Sequence, residues 1–223
     1  MSTHLLSRHS HRPRASLSLL TRGAAITPAI TLERGRAHEA CGPARRSFAL
    51  WLAASTQGPV LWITPQWQPV TLNPDGMMDF ADPARFLFVA APRREDQLWA
   101  IEEALRSGAA PLVVADLEEP PAMTPVRRLH LAAEQGGSLG VAPLALLLTP
   151  GSGGAAGIES RWHMSPAHQG RQRIWQLDRL RARTQPPACW RLQQKAPRSG
   201  LQLCPAPQAD LPSEGPHLRA TQQ

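Results

Sequence analysis

Gly42, Arg45 and Arg46 stand just ahead of one apolar run, and Asp116 closes another. A nucleotide-handling protein would place a phosphate-binding turn, its cations and a metal-linked carboxylate at such positions. A working phosphate loop is a glycine, four residues, then Gly-Lys-Ser/Thr: backbone amides surround the phosphates, the lysine neutralises them and the hydroxyl holds magnesium. The stretch Gly42-Pro43-Ala44-Arg45-Arg46-Ser47 keeps the first glycine but has neither the second glycine nor the lysine. It cannot wrap a triphosphate in the usual way. Gly42, Pro43, Arg45, Arg46 and Asp116 therefore read as vestiges of a site, with no catalytic residue and no cofactor expected. Arg45 and Arg46 fall at a helix start, where cations oppose the macrodipole. Either they point into solvent, or they help hold an anion or an acidic partner.

A second constellation is Arg171, Arg173, Arg179, Arg181 and Arg183, all at odd positions. In an extended strand, odd residues project to one face. Such a face suits a nucleic-acid backbone or an acidic protein. The alternative is a solvated face with Ile174, Leu180 and Ala182 turned inward. His163 and His168 have no cysteine or carboxylate beside them in a ligand pattern, so no metal is expected. His130 reads as a helix-surface residue, and Ser152 as part of a loop, since it lacks the strand–turn–helix setting of a nucleophile. Cys41, Cys189 and Cys204 are widely spaced and form no CxxC pair, which points to neither disulfides nor zinc.

The elements that must position these groups can be read from apolar runs. Residues 60–63 and 86–90 are compact apolar runs, hence buried strands; 36–41 reads as a short strand running into Gly42-Pro43, and 112–115 and 144–148 as further strands. Helical spacing follows at 48–55 and 94–107, the latter with acids in its first turn and Gly108 as its stop. Thr124-Pro125 predicts the cap and first turn of a helix to about residue 135. Strands separated by helices imply a mostly parallel sheet of about five strands with helices on both faces. After the glycine-rich 151–157, residues 158–165 and 174–183 alternate and predict an antiparallel C-terminal extension.

Charge divides the 223-residue chain into three. Residues 1–34 carry +4, residues 35–159 carry −4 and residues 160–223 carry +7. An acidic core with basic flanks suits nucleic acid or an acidic protein as partner, although Arg-rich composition alone would give the same pattern. The expected organisation is a disordered basic tail over 1–34 with at most a short helix at 15–21, one α/β domain over 35–193, and a disordered tail over 194–223. No apolar run approaches the roughly 20 residues that span a bilayer, so no membrane partner is expected. A soluble, cytoplasmic protein follows.

The stretch Gly35-Arg36-Ala37-His38-Glu39-Ala40-Cys41-Gly42-Pro43, running on to Ala49-Leu50, resembles the strand–loop–helix opening of RecA-type recombinases. Between Gly-Pro and the Ala-Leu pair it is about three residues shorter than that pattern, and Ala44 replaces an acidic residue. The run 111–116 resembles the strand ending in the Walker B aspartate, and Thr149-Pro150 stands where RecA proteins have a polar Asn-Gln switch. Residues 181–187 resemble the basic hairpin near the end of the RecA core. Within that group the chain is similar to the ImuA family, also described as SulA-like. The marks are Gly-Pro-Ala-Arg-Arg at 42–46, Glu-Ala-Leu-Arg-Ser-Gly at 103–108, Pro-Val-Arg-Arg-Leu at 125–129 and Glu-Ser-Arg-Trp at 159–162. The resemblance covers roughly residues 35–192. It implies a RecA-like fold and a non-enzymatic accessory role in damage-induced (SOS) mutagenesis and translesion synthesis. It also implies RecA or an ImuB-like polymerase-related protein as partner, with DNA as a further candidate. A divergent ATPase of DNA repair and an SOS cell-division inhibitor stand as alternatives.

Overall fold

The computed structural model describes residues 15–20, 30–67 and 72–204. The five expected segments become the strands β3 (Ala37–Cys41), β4 (Val60–Pro65), β5 (Phe86–Ala91), β6 (Leu112–Asp116) and β7 (Leu144–Leu148). Together with β8 (Ser160–Pro166) they form six parallel strands in the order β8-β3-β7-β6-β4-β5. Parallel neighbours need crossovers, and the helices supply them. Helix α1 (Arg45–Ala54) follows β3, α3 (Arg94–Ser107) follows β5 and α4 (Met123–Gly137) follows β6. A single turn, α2 (Pro74–Met77), interrupts the long β4–β5 connection.

Two apolar layers result. On one face, Phe48, Trp51 and Leu52 of α1 pack on Val114, Leu146, Leu148 and Trp162. On the other, Ile101 and Leu105 of α3 and Val126, Leu129 and Ala133 of α4 pack on Val113, Ala115, Ala145 and Leu147. The antiparallel extension is β9 (Arg173–Ala182), β10 (Ala188–Gln194) and the short β11 (Gln202–Leu203), which continue the sheet beyond β8. The fold is thus the expected RecA-like α/β class, with one more parallel strand than expected.

Three expectations need correction. Order does not begin at Gly35: β1 (Ser16–Ser18) and β2 (Thr31–Glu33) pair antiparallel, and a strand replaces the expected helical turn. Leu17, Leu19, Ile30 and Leu32 are buried in the α1 layer. Nor does order end at 193, since Leu201 is buried in the same layer and β11 pairs with β10. The expected disorder of the tails otherwise falls on residues 1–14, 21–29 and 205–223, outside the described residues. Third, β5 is not a buried strand: it is the free edge of the sheet, and Leu87 and Phe88 are about half exposed. Among the described residues no helix is long and apolar enough to cross a membrane.

His38 ties the amino-terminal ribbon to the sheet. Its Nε2 lies 2.8 Å from the Glu33 carbonyl, so that nitrogen carries the proton and donates. Its Nδ1 then accepts from the Ser160 hydroxyl at 2.7 Å, and the Ser160 oxygen accepts from the Trp162 indole at 2.7 Å. The ring is buried, and burial holds it down to about 4 from an ordinary 6.5. Protonating Nδ1 would turn an acceptor into a donor facing a hydroxyl that already serves it. The unfolded chain takes up this proton below pH 6.5, whereas the folded chain refuses it until about pH 4. Stability therefore falls as pH drops through that window and levels below it, by about 3 kcal/mol in total. Urea midpoints measured from pH 7 to pH 4 should show this fall, and His38→Gln should flatten it.

Candidate functional site

The candidate site lies where β3 and β6 end and α1 begins. Gly42 adopts a left-handed φ of 86° and turns the chain out of β3. A Cβ there would lie 2.6 Å from both the His163 Nε2 and the Met164 carbonyl oxygen, so only glycine lets the turn press against β8. The turn's amides are spent inside the protein. Gly42 N–H donates to the Gly151 carbonyl at 3.2 Å, and Ala44 N–H to the Met164 carbonyl at 2.9 Å. A phosphate loop keeps such amides for its ligand. Here they close the loop onto β8 and the 151–157 segment.

The cations complete this closure. Arg46 reaches from the first turn of α1 to Asp116 at the end of β6, with Nε and Nη2 at 2.7 and 2.6 Å from Oδ2. Arg45 Nη2 stands 3.8 Å from Oδ1 of the same carboxylate. Of the alternatives left open for Arg45 and Arg46, the one realised is an acidic partner, and that partner is in the chain itself. Asp116 is buried, and both Arg46 nitrogens converge on its Oδ2 in a charge-assisted contact. Asp116, expected from the sequence at a metal-linked position, thus faces a cation belonging to the protein.

A second internal anion was not visible to sequence reasoning. Glu39, in the centre of β3, has no solvent exposure. Its carboxylate accepts from the Thr149 hydroxyl at 2.7 Å, the Gly154 amide at 2.8 Å and the Ala155 amide at 3.1 Å, and it pairs with Arg161 at 2.5 Å. Arg161 Nη2 also donates to the Ala155 carbonyl. The glycine-rich segment is therefore a cradle for an anion, and the anion is Glu39. Gly153 has a left-handed φ of 75°, and a Cβ there would come within 2.8 Å of Glu39 Oε1. The available signal was a charged residue flanked by Ala-His and Ala-Cys inside a strand that had to be buried.

The five arginines do not share a face. Strand β9 runs opposite β8 with Trp162 facing Arg179 but Arg161 facing Arg181, so Leu180 is an extra residue and the parity flips there. Before the bulge, the odd positions point at the α1 layer. Trp175 and Leu177 are core, and Arg179 is 1% exposed. Its guanidinium carbon lies 5.6 Å from the Trp162 ring centroid and 5.2 Å from that of Trp190. It donates to the Pro186 carbonyl at 2.9 Å and bonds the Gln185 side chain. Burial lowers its pKa from the ordinary arginine value. Arg173 pairs with Asp79 and donates to Gln194. Arg171 is exposed at the β8–β9 turn, while Arg181 and Arg183 are exposed on the opposite face of the sheet, beside α4.

Other marked residues also find roles in packing. His130 is no mere surface residue: its Nδ1 accepts from the Ala37 amide at 3.3 Å and its Nε2 donates to the Gly157 carbonyl at 3.1 Å. Burial lowers its pKa. His168 accepts from the Ile174 amide and lies edge-on to Trp175. Cys41, His163 and Asp178 stand side by side across β3, β8 and β9, the order of a thiol, a base and an orienting carboxylate. The thiol is fully buried, donates to the Trp162 carbonyl, and is pushed up to about 11 by burial. A nucleophilic cysteine needs the opposite setting.

No protein-family model matches the chain, and no curated protein matches its sequence.

Substitutions at Arg46, Asp116, Arg179 and Arg181 test this geometry. Arg46→Ala should lower stability by about 1–3 kcal/mol, because Asp116 keeps only the more distant Arg45. Arg46→Ala combined with Asp116→Ala should cost less than the sum of the single changes, which a double-mutant cycle by denaturant melts would record. Arg179→Ala should cost about 2–4 kcal/mol by emptying the slot between two indoles. Arg181→Ala should stay within about 0.5 kcal/mol of the parent.

Proposed function

We propose that the chain is a non-catalytic accessory protein of damage-induced mutagenesis, an ImuA-like member of the RecA-like group that acts by binding RecA or an ImuB-like polymerase-related protein. The observation that carries the first half of this reading is the Arg46–Asp116 pair. In a nucleotide-hydrolysing relative, magnesium and the terminal phosphates would lie between the loop and the aspartate. Here a guanidinium spans that distance, and two loop amides already have carbonyl partners. Binding ATP would mean breaking an ion pair whose carboxylate is buried and whose guanidinium is partly exposed, and reopening the loop against β8. Thr149, at the switch position, is buried and donates to Glu39, which leaves it no group to sense a γ-phosphate.

Support for a binding role comes from the free edge of the sheet. Among the described residues β5 is an outermost strand of the sheet, and it carries the exposed Leu87 and Phe88. Soluble proteins usually blunt such an edge, and one left apolar suits strand addition or docking by another chain. The particular partners follow from the family resemblance and from nothing else in the molecule.

Calorimetry at millimolar ATP and magnesium should give no saturable heat, and steady-state assays no phosphate release. Saturable binding lost in Asp116→Ala would sink the non-catalytic reading. Co-sedimentation with purified RecA filaments on single-stranded DNA should carry the chain into the pellet. Replacing Leu87 and Phe88 with Ser should release it.

A further inference from the structure

A cleft lies on the face of the sheet opposite α1, away from the loop after β3. It measures about 540 Å³, within the roughly 300–1,000 Å³ of ligand-binding clefts. One wall is a single stripe of α4: Met123, Arg127, His130, Leu131 and Glu134 recur at helical spacing. The opposite wall is the end of β9 and the turn after it, with Arg181 and Arg183. Arg36 forms part of the floor, paired with Glu134 at 2.6 Å and with Glu159 at 3.6 Å.

Charge is left over in this cleft. Four arginines line it against two carboxylates, and both carboxylates engage Arg36. Arg127, Arg181 and Arg183 are exposed, and none has an ion-pair partner among the described residues. Arg181 stands directly opposite Arg161 across the β8–β9 ladder, so like charges adjoin. The start of α4 adds to the imbalance. Its N-cap, Ala122, gives no side-chain cap, and its first turn holds no acid. Arg127 near that end opposes the helix dipole, which an incoming anion would offset.

The rest of the lining decides which anion fits. Met123 is 42% and Leu131 66% exposed, so aliphatic surface sits among the guanidiniums. No Phe, Trp or Tyr lines the cleft, and the one aromatic ring in its wall, His130, is already bonded to the Ala37 amide and the Gly157 carbonyl, so the large flat platforms on which nucleobases stack are missing. A carboxylate-bearing chain with aliphatic side chains matches both features.

We propose that this cleft is the docking site for an acidic, leucine-containing segment of a partner protein. Its carboxylates meet Arg127, Arg181 and Arg183, and an aliphatic side chain lies on Met123 and Leu131. The proposal rests on reading the chain as a binding protein, and it adds a second contact surface, apart from the β5 edge, with its own chemistry.

The test is fluorescence anisotropy on the full chain. The probes are a labelled peptide of repeated Glu-Glu-Leu, the same peptide with Gln for Glu, and labelled oligo-deoxythymidine. The acidic peptide should bind saturably, lose affinity as salt rises, and exceed the Gln peptide about tenfold. Combining Arg127→Ala, Arg181→Ala and Arg183→Ala should weaken it about tenfold or more, and Leu131→Ser severalfold, with circular-dichroism melts unchanged. Should the triple variant melt early, Arg183→Gln alone serves, with a loss of two- to threefold expected. Equal binding of the Glu and Gln peptides, no saturable binding, or full affinity in the triple variant each overturns the proposal. So does tighter binding of oligo-deoxythymidine that the triple variant loses, which would mark a phosphate-backbone surface instead. ATP hydrolysis by the same protein would remove the non-catalytic reading while leaving the peptide result intact. The two failures are therefore distinguishable.

Discussion

A carboxylate inside a central parallel strand has to be satisfied by its surroundings, because an unpaired charge there costs several kcal/mol. Glu39 imposes that condition on this fold. Arg161 on β8, Thr149 after β7 and the amides of Gly154 and Ala155 converge on it from three directions. Their convergence fixes the path of the 151–157 segment. That path in turn places the Gly151 carbonyl where the Gly42 amide needs an acceptor, and the Gly157 carbonyl where His130 donates. Both the closed loop beside α1 and the anchoring of α4 to β3 therefore trace back to one buried side chain.

The two anion-binding devices common in nucleotide proteins, a glycine-rich nest and a turn at a helix start, are both present and both internally filled. Glu39 fills the first, and the Arg46–Asp116 pair closes the second. A buried ion pair gives little net stability against a well-packed apolar alternative, but breaking one partner is costly. Filling the site this way makes it rigid rather than strongly stabilising. Nucleotide would have to displace contacts that the folded state cannot lose cheaply.

Much of this was legible in the sequence, and the failures share one cause. Compact apolar runs such as 112–115 and 144–148 locate strands because burial on both faces needs no alternation. The acids, leucine spacing and terminal glycine of 94–107 place α3 almost to the residue. What periodicity cannot report is tertiary context. The three-residue strands β1 and β2 are too short to carry a pattern, and only Leu17, Leu19, Ile30 and Leu32 settling on α1 make them ordered. An edge strand and a central strand share the same apolar composition, so the exposure of β5 was hidden. Gly42, Arg46 and Asp116 could be singled out in the sequence, but not the contact that joins Arg46 to Asp116 over 70 residues of chain.

The bulge at Leu180 accounts for the largest error and also for the most distinctive surface. Strand parity assigns a face only while the ladder is unbroken, and one extra residue reverses it. With an even ladder, Arg181 and Arg183 would follow Arg179 into the α1 layer. That layer accepts one guanidinium because two indoles and the Pro186 carbonyl enclose it, and nothing comparable awaits two more. The extra residue sends the next two arginines to the other face, where α4 leaves a cleft with aliphatic walls. A row of arginines is thus divided into a buried structural cation, Arg179, and two exposed ones, Arg181 and Arg183, with no ion-pair partner among the described residues. The division follows from the cost of burying charge, and it leaves the free arginines together where an acidic chain can reach them.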